Sequence, residues 1–330
     1  MSQILIKSMI GTDIQLAKEF LSKGEVVAIP TETVYGLAAN AFDKNAVTKI
    51  FEIKNRPFFN PLIVHCKNLE YIHFISKDID ERLMLLMKKF SPGPLTILVD
   101  KKDIIPDLVT AGHSRVAVRI PNHPLTLSLL NILDFPLAAP SANPFQYISP
   151  TSATQVYEQL GNKIPYILDG GKCTVGIEST IVGVEQSQIV VYRLGGLSVE
   201  DIEEVVGKVK LLQKEIVDDD KLAKEAPGQY KKHYSPKKPF IVGNLIELIQ
   251  QNKDKKIFAI CFGNKDLSGY SNVQEYNLSI KADLKEATMN LFEYLYKADN
   301  SDADIIIAEY LPDIGLGRAI NDRLRRAIER

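Results

Sequence analysis

Tryptophan is absent from this sequence, cysteine occurs three times, and positive and negative charges almost cancel. Cys66, Cys173 and Cys261 are widely spaced, which excludes a disulfide framework and a cysteine-rich zinc module and favours a reducing cytoplasm. The 40 lysines and arginines against 41 aspartates and glutamates exclude a uniformly basic nucleic-acid coat but leave room for a local basic groove. No apolar run approaches the about 18 residues of a membrane helix. The opening residues, MSQILIKSMIGTD, lack the core of a secretory signal, so we expect a cytoplasmic protein without membrane association.

The familiar nucleotide-binding motifs are also missing. The string nearest to a phosphate loop, Gly170-Gly171-Lys172-Cys173-Thr174, lacks the upstream glycine and the hydroxyl directly after the lysine. Gly315-Leu316-Gly317 has no third glycine three residues on, so the dinucleotide fingerprint fails too. Neither a His-Glu-x-x-His zinc motif nor a Gly-x-Ser-x-Gly nucleophile elbow occurs. Any nucleotide site in this chain must therefore be of a less familiar kind.

The chain length predicts two domains. Residues 1–205 have a mixed α/β pattern, residues 206–238 form a charged, then lysine- and proline-rich linker, and residues 239–330 have a second, smaller α/β pattern. The expected strands of the first region are residues 25–29, 62–65, 95–99, 115–119, 166–168, 179–182 and 188–192. In the smaller region, strands at 257–261 and 304–308 alternate with helical stretches near 244–251, 283–298 and 317–328.

One helix is predicted after Asp43, a good N-cap residue, and Pro57 would end it. Lys54 in its last turn could simply complement the negative end of the helix dipole. That explanation does not extend to Arg56, which follows in a loop with Asn60.

Hydroxyl-bearing loops follow two of the predicted strands. Residues 30–37, PTETVYGL, come directly after an apolar strand, where α/β sheets bind ligands, although a capping turn is the alternative. Residues 140–144, PSANP, and Ser149 form a second loop whose small residues would let backbone N–H groups approach a ligand, and here a plain turn is the alternative.

Arg115 and Arg119 lie four residues apart on one predicted strand and therefore share one face of the sheet. Two arginines on one face repel each other unless an anion lies between them, and arginine suits bidentate binding of carboxylate or phosphate. The alternative is an edge strand with a solvated face. Arg193 ends a further strand and is either part of such a site or an ordinary strand exit.

Together, these cations, the hydroxyls and His65 suit a nucleotide and a second anionic substrate, because no Ser-His-Asp or Cys-His set is visible. Nucleotidyl and phosphoryl transfer depend mainly on positioning and charge stabilisation, not on a nucleophilic side chain. Glu32 and Glu178 are the acids placed to help bind Mg²⁺.

Several ordered motifs resemble one known family. The strings PTETVYGL, KNRPFFNPLIVH, SPGPLTILV, RVAVRIP, APSAN and GIESTIV resemble the YrdC-type domain of L-threonylcarbamoyladenylate synthases. The tail strings APGQYKKHYSP and GLGRAINDRLRRA are similar to the linker and C-terminal domain of the long, two-domain form. The resemblance covers essentially the whole chain. It implies an α/β fold with a twisted mixed sheet and a concave basic groove, followed by a small Rossmann-like α/β/α domain.

The resemblance also implies an activity. The enzyme would join L-threonine, bicarbonate or CO₂, and ATP with Mg²⁺ into threonylcarbamoyl-AMP and pyrophosphate. A separate transferase complex would then use that product to form N6-threonylcarbamoyladenosine at position 37 of tRNAs that read ANN codons, and weak binding of tRNA or double-stranded RNA would be compatible with this role.

Residue roles follow from the matching motif positions. The L-threonine site would comprise Thr33, His65, Arg119, Ala139 and Ser179. The ATP site would comprise Arg56, Asn60, Arg115, Ser141, Ser149, Arg193 and Tyr234, with Lys54 and Arg56 catalytic through charge stabilisation. The linker would act as a lid that excludes water from the reactive intermediates.

Two other functions fit parts of the pattern. A module that binds double-stranded RNA or tRNA without catalysis is compatible with a local basic groove, although no run of stacking aromatics is visible. A carbamoyl-adenylate enzyme of hydrogenase maturation carries a similar domain, but it would need paired Cys-x-x-Cys fingers, which this chain lacks.

Overall fold

The computed structural model describes residues 9–212, 226–227 and 233–329. Its helices are α1 (Ile14–Ser22), α2 (Lys44–Lys54), α3 (Leu69–Ile75), α4 (Glu81–Phe90), α5 (Asp107–Thr110), α6 (Pro124–Ile132), α7 (Ala153–Leu160), α8 (Val199–Val206), α9 (Leu245–Gln251), α10 (Leu284–Asp299) and α11 (Leu316–Ala327). Its strands are β1 (Met9–Gly11), β2 (Val27–Ile29), β3 (Gly36–Asn40), β4 (Ile63–His65), β5 (Leu95–Asp100), β6 (Arg115–Arg119), β7 (Leu137–Ala138), β8 (Tyr166–Leu168), β9 (Thr180–Glu185), β10 (Gln188–Arg193), β11 (Lys210–Leu211), β12 (Phe240–Val242), β13 (Ile257–Cys261), β14 (Val273–Asn277) and β15 (Ile305–Ala308).

The first region is one large mixed sheet, as predicted. Its strand order is β1-β8-β2-β3-β7-β4-β6-β5-β9-β10-β11. Some neighbouring strands are parallel and others antiparallel, in no regular order. Each strand predicted for this region is present within one or two residues, except that β9 continues beyond its predicted end. Strands β1, β3, β7 and β11 were not predicted, because they are short or carry small residues without a clear alternation.

Strand β6 lies in the interior of this sheet, between β4 and β5. The interpretation of residues 115–119 as a solvated edge strand is therefore wrong. Both edges of this strand are paired with neighbours, and its side chains project from the faces of the sheet. The partners of the Arg119 side chain therefore lie on one face of the sheet. The position of Arg119 opposite His65 of β4 brings these two residues to the same end of neighbouring parallel strands.

Helix α2 confirms the prediction of a helix after Asp43. The Asp43 side chain accepts a hydrogen bond from the Asn45 backbone N–H at 2.8 Å, which caps the first turn. The helix ends at Lys54, and Asn55 adopts a left-handed conformation directly after it. The apolar face is buried against the sheet, so α2 delivers Lys54 and Arg56 to the edge of the first core.

The second region is a small parallel sheet with the order β12-β15-β13-β14, covered by α9, α10 and α11. The two strands and three helices predicted here are confirmed, whereas β12 and β14 were not predicted. Parallel strands joined by helices give the Rossmann-like arrangement that the family resemblance implies. Within the described residues, no helix has the length and apolar character needed to cross a membrane.

The two regions share a packed core. Val34, Ile148 and Ile177 of the first region are buried in one cluster with apolar residues of α10 and α11. Gly176 allows this close approach, because its φ is +82° and a Cβ there would lie 2.5 Å from the Met289 Cα. The predicted linker, 206–238, begins inside the first fold, since β11 pairs with β10 beyond residue 205. Most of that linker, including residues 213–225 and 228–232, lies outside the described residues.

Candidate active site

A single cavity collects most of the predicted site residues. It lies where β4, β6 and β10 end, and it encloses about 570 Å³ of space, including the part open to solvent. The predicted residues that line it are Thr33, Arg56, His65, Arg119, Ala139, Ser141, Ser179, Arg193 and Tyr234. Lys54, Asn60, Arg115 and Ser149 are not among its lining residues.

Arg119 is held in the cavity by three partners. Its Nη2 lies 2.6 Å from Glu32 Oε1, its Nη1 donates to Thr33 Oγ1 at 2.9 Å, and its Nε donates to the Gly93 carbonyl at 3.2 Å. The side chains of Arg119 and Glu32 are both almost fully buried. A buried guanidinium held in this way presents its plane in one fixed orientation, which suits recognition of a carboxylate.

The PTETVYGL turn is both a turn and part of the cavity wall. Thr31 Oγ1 donates to the Val34 carbonyl at 2.6 Å and lies 2.8 Å from Thr33 Oγ1, so the hydroxyls stabilise the turn itself. Thr31, Thr33 and Val34 nevertheless line the cavity. The alternative of a turn that caps a following helix is wrong, because strand β3 follows the turn. The hydroxyls stabilise the turn and also face the cavity, since a hydroxyl has donor and acceptor capacity for both roles.

His65 is buried and neutral. Burial, followed by the nearby charge of Arg119, lowers the pKa of His65 to about 3. Its Nδ1 is buried and has no hydrogen-bond partner among the described residues. A neutral imidazole with one nitrogen unpaired can position a polar group of a ligand but cannot contribute a positive charge at neutral pH.

Lys54 holds a loop of the cavity rather than lining the cavity itself. Its side chain is 1% exposed, and its Nζ donates to the carbonyls of Ser141, at 2.5 Å, and Asn143. Burial, with a smaller contribution from Arg56, holds the pKa of Lys54 well below its usual value. The helix-dipole explanation is therefore insufficient, because the amine reaches into the protein to fix the APSAN loop. A direct phosphate contact from Lys54 stays a prediction.

Arg56 reaches the cavity from the loop after α2. Its Nε donates to the Asn60 carbonyl at 3.2 Å and its Nη2 donates to the Pro61 carbonyl at 2.8 Å. The Asn60 side chain is fully buried, and its amide nitrogen and oxygen have no partner among the described residues. A buried amide without partners is costly. The predicted contact of Asn60 with ATP would remove that cost, and it stays a prediction.

Arg193, at the end of β10, and Ser179, directly before β9, form one wall of the cavity. Arg193 donates from Nε and Nη2 to the Ser179 carbonyl at 3.1 and 2.8 Å, and from Nη2 to Ser179 Oγ at 3.1 Å. Ser179 Oγ also lies 2.7 Å from Thr96 Oγ1. Burial lowers the pKa of Arg193 to about 10, which still leaves it charged at neutral pH. Arg193 therefore belongs to the site and is not an ordinary strand exit.

Arg115 points to different partners. Its Nη2 lies 3.8 Å from a Glu185 oxygen, its Nη1 donates to the Val184 carbonyl at 3.2 Å, and its guanidinium lies over the Tyr192 ring. A strand rises about 3.3 Å per residue, so Arg115 and Arg119 are about 13 Å apart along β6. The expectation that one anion lies between these two arginines is wrong, because each pairs with its own glutamate. A backbone contact from Arg115 to ATP stays a prediction.

Glu32 and Glu178 do not fit a resident Mg²⁺ site. Both oxygens of Glu32 are occupied, one by Arg119 and the other by the Asn122 backbone N–H at 2.9 Å. Both oxygens of Glu178 are occupied as well, by Ser149 Oγ at 2.7 Å and by Arg323 Nη2 at 3.0 Å. Among the described residues, no group of three His, Cys, Asp or Glu side chains could hold a metal ion.

Sequence reasoning did not single out three residues that the linker and α11 contribute in or behind the cavity wall. Pro227 and His233 of the linker line the cavity beside Tyr234, and Arg323 of α11 lies directly behind Glu178. One signal in the sequence could have found Arg323. It shares helical spacing with Ile320, Leu324 and Ala327, which places a charged residue on the apolar face of α11.

A mixed sheet with a cation-lined, hydroxyl-rich cavity at its strand ends defines an α/β protein with a cavity suited to small anionic ligands. The family model described as Telomere recombination, Sua5_yciO_yrdC, matches residues 19–195, and the model described as Threonylcarbamoyl-AMP synthase, C-terminal domain, matches residues 197–328. The chain belongs to the threonylcarbamoyl-AMP synthase family of enzymes.

Similar proteins support this assignment over nearly the full length. Threonylcarbamoyl-AMP synthase of Pyrococcus abyssi is 39% identical over 328 residues, or 95% of this chain and 93% of that protein. The Bacillus subtilis enzyme of the same name is 37% identical over 318 residues, or 94% and 91%. The crystal structure of P. abyssi Sua5 with L-threonine matches with a TM-score of 0.90 at 37% identity, covering 97% of this chain and 98% of that one.

Proposed function

We propose that this chain joins L-threonine, bicarbonate or CO₂, and ATP into L-threonylcarbamoyl-AMP, with release of pyrophosphate. The observation that carries the proposal is the convergence of three buried arginines, Arg56, Arg119 and Arg193, on one cavity lined by hydroxyls. Three fixed cations in one cavity match substrates that together carry a carboxylate and a triphosphate.

The threonine side of the cavity comprises Thr33, His65, Arg119, Ala139 and Ser179. We infer that Arg119 binds the carboxylate of L-threonine, and that the neutral His65 and the Thr33 hydroxyl orient its polar groups. Binding of L-threonine by the P. abyssi protein, which shares this fold at 37% identity, supports the assignment.

The nucleotide side comprises Arg56, Ser141, Arg193 and Tyr234. In the proposed reaction, the uncharged amine of L-threonine adds to the carbon of CO₂ and loses a proton to form a carbamate. A carbamate oxygen then attacks the α-phosphorus of ATP, and the bond to the pyrophosphate oxygen breaks. Arg56 and Arg193 stabilise the charge that builds on the phosphate oxygens. ATP enters as its Mg²⁺ complex, so Mg²⁺ is part of the substrate and needs no resident carboxylate site.

The linker residues nearest the cavity are suited to excluding water. Tyr234 is 1% exposed and packs against Phe292 of α10, with ring centroids 5.2 Å apart. His233 lies beside it, and the His233 backbone N–H donates to the Arg326 carbonyl of α11 at 3.2 Å. We propose that this segment acts as a lid over the carbamate and the adenylate, both of which water would hydrolyse.

We further propose that the product serves N6-threonylcarbamoyladenosine formation at position 37 of tRNAs that read ANN codons, through a separate transferase complex. Weak binding of tRNA or double-stranded RNA belongs to the same proposal. A cytoplasmic location fits the three free, buried cysteines, Cys66, Cys173 and Cys261.

Pyrophosphate release from ATP, measured with and without L-threonine at fixed bicarbonate and Mg²⁺, tests the proposed function. We expect release to require L-threonine, with L-serine a poorer substrate. Folded protein that releases no pyrophosphate in response to L-threonine would contradict the synthase. Salt-dependent binding of tRNA by such an inactive protein would instead favour the RNA-binding alternative.

A further inference from the structure

Arg323 is a buried arginine that reaches from the second region into the wall of the cavity. Its side chain is 0% exposed, and its Nη2 and Nε lie 3.0 and 3.2 Å from Glu178 Oε2. Its Nη1 donates to the Leu194 carbonyl at 2.6 Å. Glu178 and Leu194 both belong to the first region, so α11 inserts a positive charge across the boundary between the two regions. A guanidinium without hydration is tolerated only where it is paired in this way.

Glu178 lies between Arg323 and the cavity. It lines the cavity, and its second oxygen accepts a hydrogen bond from Ser149 Oγ at 2.7 Å. Burial would raise the pKa of Glu178, but Arg323 and then Arg193 outweigh burial and hold that pKa below its usual value. The wall of a cavity suited to anions therefore carries a negative charge at neutral pH.

Arg193 is the second cation near Glu178. It lines the cavity, whereas Arg323 lies on the far side of the carboxylate. With both arginines present, Glu178 is near two positive charges. Asp322 lies 3.5 Å from Arg323 Nη1 as well, but it pairs with Arg326 Nε at 2.9 Å, so this wall is net positive. Without Arg323, Glu178 and Arg193 would neutralise each other, and an anion in the cavity would no longer meet a net positive wall.

We propose that Arg323 is a positioning residue for the nucleotide side, because it pairs with Glu178 from behind and leaves the positive charge of Arg193 uncompensated toward the phosphates. The second region would thereby set the charge of the active site in addition to covering it. The identity of the anion as ATP rests on the proposed function, whereas the pairing of Arg323 with Glu178 does not.

The test is a double-mutant cycle of Arg323→Ala and Glu178→Gln. We expect Arg323→Ala to raise the KM for ATP by about tenfold or more, while the KM for L-threonine changes by less than about twofold. Adding Glu178→Gln removes the negative charge that has lost its Arg323 partner, and it should recover most of the affinity for ATP. A merely structural role of Arg323 predicts the opposite, because the double variant has lost contacts on both sides.

Arg318 provides a matched control on the same helix. Its Nη1 lies 3.1 Å from Glu200 Oε1, so it also pairs across the two regions, but its side chain is 28% exposed and lies outside the cavity lining. Arg318→Ala should leave the KM for ATP unchanged. Arg323→Lys keeps the charge without the planar fork and should give a smaller rise than Arg323→Ala, which provides a test if the alanine variant does not fold.

Binding of inorganic pyrophosphate to the same variants, measured by calorimetry, separates this proposal from the proposed function. Weaker pyrophosphate binding in Arg323→Ala that Glu178→Gln restores would support the proposal, even if the wild-type protein released no pyrophosphate from ATP. Equal pyrophosphate affinity in wild type and Arg323→Ala would overturn it, even in an active synthase. A double variant no better than Arg323→Ala, or an equal rise of both KM values, would overturn it as well.

Discussion

The threonine side of the cavity is built by neighbouring strands and turns of one sheet, whereas the nucleotide side depends on both regions of the chain. Arg119 finds Glu32, Thr33 and Gly93 within the first sheet. Glu178, beside Arg193, is paired by Arg323 of α11, and Tyr234 covers that side from the linker. If the proposed function is right, we expect amino-acid binding to depend on the first region alone, and nucleotide binding to require the assembled chain.

Arg119→Ala should have the largest effect of these substitutions, and the effect should be on binding of L-threonine. It leaves Glu32 buried without its partner, and breaking a buried ion pair in this way costs about 3–5 kcal/mol. We expect L-threonine binding, measured by calorimetry, to weaken by more than about a hundredfold while ATP binding changes much less. Arg119→Lys keeps the charge but loses the planar fork of donors, so its affinity for L-threonine should lie between those of wild type and Arg119→Ala. Unchanged L-threonine affinity in a folded Arg119→Ala protein would contradict the division into two sides.

Lys54→Met should affect the nucleotide side through the APSAN loop. The substitution keeps an unbranched stem but leaves the carbonyls of Ser141 and Asn143 without their donor. Unsatisfied buried carbonyls should lower the free energy of unfolding by about 2–3 kcal/mol, measured by urea titration. Because the loop carries Ser141, the KM for ATP should rise more than that for L-threonine. A loss of activity with unchanged stability would instead indicate that Lys54 acts on the phosphates directly.

The pH dependence of stability should reveal the buried His65. In the unfolded chain its pKa is near 6.5, whereas in the folded protein burial lowers the pKa to about 3. Between these values only the unfolded chain binds the proton, so stability falls as pH drops below about 6.5. From pH 6.5 to 5 the loss due to His65 should be about 1.6 kcal/mol, because the slope begins at half of 1.36 kcal/mol per pH unit at pH 6.5 and approaches the full value as pH falls. Urea unfolding of wild type and His65→Asn at both pH values measures this loss. An equal change in the free energy of unfolding with pH in the two proteins would show that His65 is not held neutral.

Arg115→Ala should have the smallest effect on either side. Arg115 pairs with the partly exposed Glu185 and lies about 13 Å along β6 from Arg119. An ion pair of this kind contributes about 0–1 kcal/mol, and the KM values for ATP and L-threonine should change by less than about twofold. A large rise in the KM for ATP would place the Arg115 side chain in the nucleotide side after all, and would extend that side along the strand.

All five residues that the resemblance assigns to L-threonine line the cavity, whereas Asn60, Arg115 and Ser149, which it assigns to ATP, do not, and the reason is physical. Apolar alternation reports which residues form a strand, and residues at the ends of β4 and β6 become neighbours through regular pairing. The strand pattern alone therefore suffices to place His65 and Arg119 at strand ends. The partners of a loop lysine are not periodic, so the reach of Lys54 to the carbonyls of Ser141 and Asn143 could not be foreseen.

Glu178 and Arg323 are 145 positions apart in the sequence. The sequence around either residue does not predict the other as its partner. Helical periodicity does place Arg323 on a buried face, which signals that it must have a buried partner. It does not say whether that partner is in the same region. Only the packing of α11 against the first region, with Gly176 close to α10, brings the two charges together.

The full occupation of both glutamates has a consequence for proton transfer. Both oxygens of Glu32 and of Glu178 are engaged, and burial keeps the pKa values of His65 and His233 well below neutrality. Among the described residues that line the cavity, Glu178 is thus held charged, and His65 and His233 are held neutral, at neutral pH. In the proposed reaction, the proton shed by the threonine ammonium would pass to solvent or bicarbonate, and the rise of activity with pH would belong to the substrate amine rather than to the enzyme.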